Sequence, residues 1–378
     1  MGLELKNLYD DFRDGDTIKA YAKIIKEDAK KLKNPINIME VCGGHTHTIM
    51  KYGIPQLLTE NIKFIHGPGC PVCIMPKERI DHAYVLSMQK DVILVTLGDM
   101  IKVPGSKGSL QDARAKGADV RFVYSPMDCL KIAKENPDKK IIFFAIGFET
   151  TTPMTAVLLD TVIKKEIQNI YFHINHVTVP EAMKALVDSG DDDSAKSNID
   201  AFLGPSHVSV ISGSKIYEEF PRYYNIPVVV AGFEPVDVMQ SISMVVKQFV
   251  ENRCELEVQY KRLVNYDGNK KAQEMIDKYF QKASVFKWRG IGNIANSGLE
   301  LREGYKNYDA ESVYKDILPL EEIQDHKLCI CGDILRGMAN PPECTIFGTS
   351  CKPTSPIGSC MVSSEGACAA YYKYGNLI

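Results

Sequence analysis

The sequence contains no apolar run near the ~18 residues that a membrane span requires. Its opening stretch, Met1 to Asp16, interleaves acidic and basic residues instead of forming the apolar core of an export signal. Spanning and exported classes are therefore not expected, and the cytoplasm is the expected compartment. An excess of positive charge is also lacking: 45 Lys and Arg against 48 Asp and Glu leave a net −3. With no basic excess, nucleic acid and membrane surfaces are not expected as partners, and protein or metal partners are. At 378 residues, 45% hydrophobic and 25% charged, the composition is globular and the length suits two or three domains.

Cysteine, by contrast, is plentiful. Eleven cysteines in a chain expected in a reducing compartment are hard to read as structural disulfides, so metal binding or thiol redox chemistry is the better reading. Six of them, Cys329, Cys331, Cys344, Cys351, Cys360 and Cys368, crowd the C-terminal segment, while Cys42, Cys70 and Cys73 sit in Gly-rich turns. Cys129 and Cys254 stand alone and read as buried or inert thiols.

From Asn37 to Ala231, short β-branched or aromatic runs alternate with Gly/Pro turns and longer amphipathic stretches, the pattern of βα units. Strands are predicted to begin near Asn37, Ile62, Val92 and Val120, then near Ile141, Ile170, Asp200 and Pro227. Four units followed by four more suggest internal duplication, with Leu97-Gly98 echoed by Leu203-Gly204 and Pro126-Met127-Asp128 by Pro235-Val236-Asp237. The expected fold is α/β. A first parallel-sheet domain with an N-terminal helix covers 1–138, a similar one covers 139–250, and a helical or irregular cluster domain covers 251–378. A helix is predicted over Ala272 to Lys282, leading into the segment Trp288 to Gly292, and Asp191 to Asp193 reads as a solvated loop. Beyond Leu328 periodic apolar residues give way to Cys, Gly and Pro, and a metal cluster is a sensible staple for such a segment.

In open parallel sheets, ligands bind at the carboxyl ends of strands. The unusual residues occupy that position: Cys42 to His47, His66 to Cys73, Gly147 to Pro153 and Gly204 to Ser209. Four loops can thus converge on one cleft. Cys70-Pro71-Val72-Cys73 has the spacing of a redox-active dithiol, or of half a zinc site completed by Cys42 with His45 or His47. His45 and His47 can orient Cys42 or accept its proton. Glu149 reads as a proton acceptor, a hydrogen-bond anchor or a carboxylate at a helix N-terminus, Thr150 to Thr152 as helix caps, and His207 as either cleft-lining or structural. Six C-terminal thiols exceed the four that a cubane cluster takes. Zinc remains open, but no Cys-x2-Cys knuckle occurs there and Cys329-Ile330-Cys331 is too tight for one, so iron–sulfur is preferred.

Together these motifs closely resemble one family, the HypD hydrogenase maturation proteins, which help build the Fe(CN)2CO group of nickel–iron hydrogenases. The resemblance runs along the whole chain and includes the terminal pattern Cys-x14-Cys-x6-Cys-x16-Cys, which falls on Cys329, Cys344, Cys351 and Cys368. It implies that those four hold a 4Fe-4S cluster, that Cys331 and Cys360 form a nearby thiol pair, and that the cluster domain is similar to ferredoxin-thioredoxin reductase. It also implies a small chaperone, HypC, as partner, with Cys42 an iron ligand shared with a chaperone cysteine. Cyanide would come from the carrier HypE, whose thiocarboxamide is made with HypF. The expected function is then a redox-active assembly scaffold rather than a conventional turnover enzyme. It holds the transient Fe(CN)2CO iron at Cys42, with electrons relayed by the cluster, Cys331/Cys360 and Cys70/Cys73. A second reading is an iron–sulfur-dependent protein disulfide reductase acting through Cys70 and Cys73, and a third is a zinc-stapled binding module.

Overall fold

A computed structural model describes residues 10–188 and 198–375, so the run Asp191 to Asp193 lies outside the described residues. Nine strands build two parallel sheets: β1 (Ile36–Glu40), β2 (Ile62–His66), β3 (Val92–Leu97), β4 (Val120–Val123), β5 (Lys140–Gly147), β6 (Ile170–His176), β7 (Ala201–Pro205), β8 (Val228–Ala231) and β9 (Leu256–Val258). Each of the eight expected strands begins within one residue of its predicted start. The apolar runs are what a parallel sheet covered on both faces demands. β5, Lys-Ile-Ile-Phe-Phe-Ala-Ile-Gly, is buried at every position after its first.

Which strands pair differs from a tandem arrangement. One sheet runs β2-β1-β7-β8-β9 and the other β4-β3-β5-β6. After β2 the chain builds the whole second sheet, then returns to complete the first, so one domain is inserted in the other. A boundary at residue 138 falls within the β3–β6 sheet, and one at 250 cuts β9 from the sheet it joins. The reason lies in hydrogen bonding: the edge of β1 facing away from β2 needs partners, and β7 supplies them, with Ile38 opposite Ala201 and Glu40 opposite Leu203. The two domains are nonetheless similar, because their first four strands share one spatial order, second-first-third-fourth. The short echoes fall at non-equivalent places: Leu97 ends the first strand of its sheet, whereas Leu203 lies in the third strand of the other.

Helices cover both faces. Helix Gly15–Ala29, capped by Asp14 accepting the Thr17 N–H at 2.7 Å, buries Ile18, Ala22 and Ile25 in one cluster with Val238, Ile242 and Val245 of helix Pro235–Val250. Each such aliphatic side chain contributes roughly 1.5–3 kcal/mol. On the second sheet, helix Lys77–Ser87 covers one face through Ile80, Ala83 and Leu86, and helix Thr152–Lys164, with Pro153 in its first turn, covers the other.

Residues beyond 251 begin by joining both domains. β9 extends the first sheet, and helix Lys270–Tyr279 packs on Thr152–Lys164, where the Tyr279 hydroxyl donates to Asp160 at 2.6 Å. That helix stops three residues short of Lys282, because Phe280, Gln281 and Lys282 pair with Leu301, Glu300 and Leu299. They open β10 (Phe280–Trp288), which forms an antiparallel hairpin with β11 (Gly292–Leu301). The Cys-rich tail is short helical turns and irregular chain, ending in helix Ala367–Tyr374 against helix Gly43–Lys51. Among the described residues no helix is long and apolar enough to cross a membrane.

Candidate functional site

The loops at the carboxyl ends of β1, β2, β5, β7 and β8 meet in a cleft of about 440 Å³ between the two sheets. Cys42, Gly69 and Pro71 line it from one domain and Phe148 and Thr151 from the other, with His207, Phe233 and Glu365 completing the wall.

Cys42 precedes helix Gly43–Lys51 in extended conformation, with φ −150° and ψ 127°. Gly69 lies directly against it. A Cβ on Gly69 would sit 2.3 Å from the Cys42 N and Cα, so only glycine lets the second loop close on the first. The Cys42 Sγ is 3.9 Å from His207 Nδ1. Burial and then the charge of Glu365 push the Cys42 thiol well above its ordinary range, while burial lowers the His207 imidazole to about 4. Near neutral pH the pair is therefore an uncharged thiol facing an uncharged ring. His45 and His47 are not at the sulfur. The His45 Nε2 lies 3.1 Å from the Gly232 carbonyl and 3.2 Å from that of Ala231, and His47 stands edge-on to Tyr374 at 5.4 Å. The nearby base comes from the fourth loop instead.

Sequence reading missed Glu40. Its fully buried carboxylate accepts the Cys42 N–H at 3.1 Å and the Thr46 hydroxyl, and lies 2.6 Å from His66 Nδ1. The far side of His66, Nε2, is 3.3 Å from the Tyr371 hydroxyl, on the helix that carries Cys368. Burial raises the Glu40 carboxyl, opposed by His66, Thr46 and the Cys42 N–H. An acidic residue closing a strand whose other inward positions are apolar was the readable signal. Glu365, from the C-terminal tail, is a second missed carboxylate in the wall.

Glu149 is buried and caps a helix other than its own: its Oε1 accepts the Val179 N–H, the first of helix Val179–Val187, at 2.9 Å. Its Oε2 has no partner, and burial raises the carboxyl to about 7. Thr151 and Thr152 do not cap. Their hydroxyls donate backward to carbonyls, Thr151 to Ile146 and Phe148, and Thr152 to Phe148 at 3.0 Å.

The cysteines of the second loop and the tail share one buried apolar cluster, which holds Cys70, Cys73, Cys331, Cys344, Cys351, Cys360 and Cys368, with Cys329 at its margin. Cys129 is separate and fully buried. Cys331 and Cys360 are joined as a disulfide, their Cα atoms 6.7 Å apart. The hydroxyl of Ser359, next to Cys360, donates to the Cys73 carbonyl. A hydrogen bond with Cys70, and then burial, push the Cys73 thiol well above its ordinary range. Burial, and then the charges of Cys329, Cys351 and Cys344, push the Cys368 thiol far upward. The Ile357 N–H points at Cys351 Sγ from 3.4 Å, and a Cβ on Gly358 would meet Cys329 Sγ at 2.8 Å. Among the described residues, no three of the four sulfurs lie within 4.8 Å of one another.

Residues 16–375 match the HypD family model, described as a hydrogenase formation hypA family. The chain is 49% identical over 368 residues to hydrogenase maturation factor HypD2 of Bradyrhizobium diazoefficiens, covering 97% of this chain and 96% of that protein. It is 47% identical over 367 residues to hydrogenase maturation factor HypD of Azotobacter vinelandii, with 97% and 96% covered. With the corresponding factor of Escherichia coli it shares 43% over 369 residues, covering 97% of each. Likeness of this extent, over both sheets and the Cys-rich tail, leads to one conclusion: the chain belongs to the HypD family of hydrogenase maturation factors.

Proposed function

We propose that this chain is the cytoplasmic scaffold on which the Fe(CN)2CO group of nickel–iron hydrogenase is assembled. Its partners in this reading are a small chaperone of the HypC kind and a cyanide carrier of the HypE kind, itself served by HypF. One observation carries the reading: Cys42 lies in the cleft, and the loop closing on it leads through Cys70 and Cys73 into the buried cluster of C-terminal cysteines.

The iron is cargo. Cys42 binds it as a thiolate, and His207, whose Nδ1 is 3.9 Å from Sγ, takes the displaced proton. Glu40 fixes the Cys42 backbone from beneath. A single thiolate leaves the remaining iron positions open to a chaperone cysteine and to incoming ligands.

Cys329, Cys344, Cys351 and Cys368 fit a 4Fe-4S cluster. Their donor set is all thiol, and no three of them gather within 4.8 Å, whereas one tetrahedral ion with Zn–S of about 2.3 Å would hold all four sulfurs ~3.8 Å apart. Such a cluster supplies single electrons when bound. Releasing cyanide from a carrier thiocyanate takes two electrons and one proton and leaves a thiol. The Cys70/Cys73 dithiol, closing to a disulfide, gives up two electrons and two protons. The Cys331–Cys360 disulfide adjoins that pair through Ser359, whose hydroxyl donates to the Cys73 carbonyl, and shares its buried cluster. The disulfide-reductase alternative is disfavoured by access, because Cys70 and Cys73 are only 3% and 1% exposed.

Cys42→Ala tests the proposal. The variant, purified anaerobically with its chaperone, should keep the brown cluster absorption and lose the cyanide and carbonyl infrared bands. Unchanged bands would sink the assignment.

A further inference from the structure

Away from the cleft, His82, His173 and Glu311 bring one ligand atom each to within 4.8 Å of one another. They come from three elements: helix Lys77–Ser87, strand β6 and the short helix Ala310–Val313. No step proposed above uses them. We infer that these three side chains form a site for a divalent first-row transition ion, held by two imidazoles and one carboxylate.

The spacing is the first argument. His82 Nδ1 is 3.2 Å from His173 Nε2 and 3.8 Å from Glu311 Oε1. Nitrogen and oxygen ligands about 2.0–2.2 Å from a tetrahedral ion stand ~3.3–3.6 Å from one another, a range that the two His82 distances bracket, and all three donors lie within 4.8 Å. Two imidazoles with one carboxylate suit zinc or ferrous iron and leave positions for water.

The outer partners are the second argument. His82 Nε2 lies 3.0 Å from the Pro319 carbonyl oxygen, which can only accept. The His82 proton is therefore on Nε2, and the Nδ1 lone pair points at the cluster, the usual arrangement for a metal-bound histidine. His173 Nδ1 lies 3.0 Å from the Asn175 side-chain amide, whose Oδ1 is buried without a partner. Without an ion, His173 Nε2–H donates to His82 Nδ1. With the amide turned over, the idle oxygen accepts from His173 Nδ1–H instead, at the loss of the amide's contact with the His173 carbonyl, and the Nε2 lone pair becomes free for the ion. The ring proton moves from one nitrogen to the other and none is released.

Access and charge complete the case. His173 is fully buried, but the side chains of His82 and Glu311 are 12% and 32% exposed. Openings of about 450 Å³ beside His82 and about 270 Å³ beside Glu311 provide an entry path and room for water ligands. Arg79 pairs with Glu311 Oε1, donates to the Ile174 carbonyl at 3.0 Å and lies over the Phe286 ring. It holds the carboxylate through the same Oε1 that faces His82, so it competes with an ion as well as repelling it, and both limit affinity, which suits an exchangeable rather than a permanently bound ion.

The test uses the full chain, purified anaerobically, dialysed against Zn2+ and examined by zinc X-ray absorption. Wild type should hold one more equivalent of zinc than His82→Ala or Glu311→Gln, in a shell of nitrogen and oxygen without sulfur. Asn175→Leu should weaken that equivalent about 10–100-fold. Glu311→Gln changes a partly exposed group, so it decides the matter if His82→Ala does not fold. Equal zinc in wild type and Glu311→Gln, or zinc with sulfur ligands alone, would overturn the inference and leave the three residues as a hydrogen-bonded tie between elements.

Discussion

Glu149→Gln should flatten the pH dependence of stability. The carboxyl is 8% exposed, its Oε1 accepts the Val179 N–H at 2.9 Å, its Oε2 has no partner, and burial raises it to about 7. In the unfolded chain the same group titrates near its ordinary 4.5. A folded value above the unfolded one means that the native state holds the proton more tightly. The stabilisation is therefore fully present below pH 4.5 and is lost as pH rises through 7. At about 1.36 kcal/mol for each pH interval of one between the unfolded and folded values, the whole effect is roughly 3 kcal/mol, of which roughly 2 kcal/mol falls between about pH 5.5 and 8. Glutamine keeps the acceptor for Val179 and has no charge to bury. In urea titrations the stability difference between variant and wild type should therefore shift by roughly 2 kcal/mol in the variant's favour between those pH values. Parallel stability–pH curves would refute the reasoning.

Two other substitutions probe the frame of Cys42. Glu40→Ala leaves the Cys42 N–H, the Thr46 hydroxyl and His66 without their buried acceptor and should cost about 3–5 kcal/mol in denaturant unfolding; wild-type stability would contradict the role given to Glu40. Gly69→Ala drives a Cβ to 2.3 Å from the Cys42 backbone and should cost about 1–3 kcal/mol while displacing the loop that closes on the thiol. Retention of both stability and the iron-bound infrared bands would mean that the close approach is dispensable.

Much of this was legible before any coordinates. Eight of the nine strands announce themselves as short, mainly apolar runs, because parallel strands covered on both faces show little polar alternation, whereas β9, three residues with Glu257 at the centre, does not. Their pairing was not legible. Ile38 opposite Ala201 is a contact across 163 positions, and nothing in the local pattern of β1 says that its second neighbour is β7 rather than β3. The same gap explains the site. Cys42, Cys70 and Cys73 stand out by type and by their glycine-rich settings, whereas proximity in sequence suggested His45 and His47 for the place that His207 takes through the return of the chain. Glu40 was overlooked because strand periodicity treats an acidic terminal residue as an exit to solvent. Here it turns inward beneath the loop it supports.

In the proposed function, iron is assembled at Cys42 apart from a cluster held by Cys329, Cys344, Cys351 and Cys368. Combined metal, sulfide and infrared analysis of the chain, purified anaerobically together with the small chaperone proposed as its partner, tests this directly. About four iron and four sulfide per chain are expected for the cluster, and beyond them a further iron accompanied by cyanide and carbonyl bands. Zinc without sulfide, or iron in cluster amounts with neither band, would contradict it.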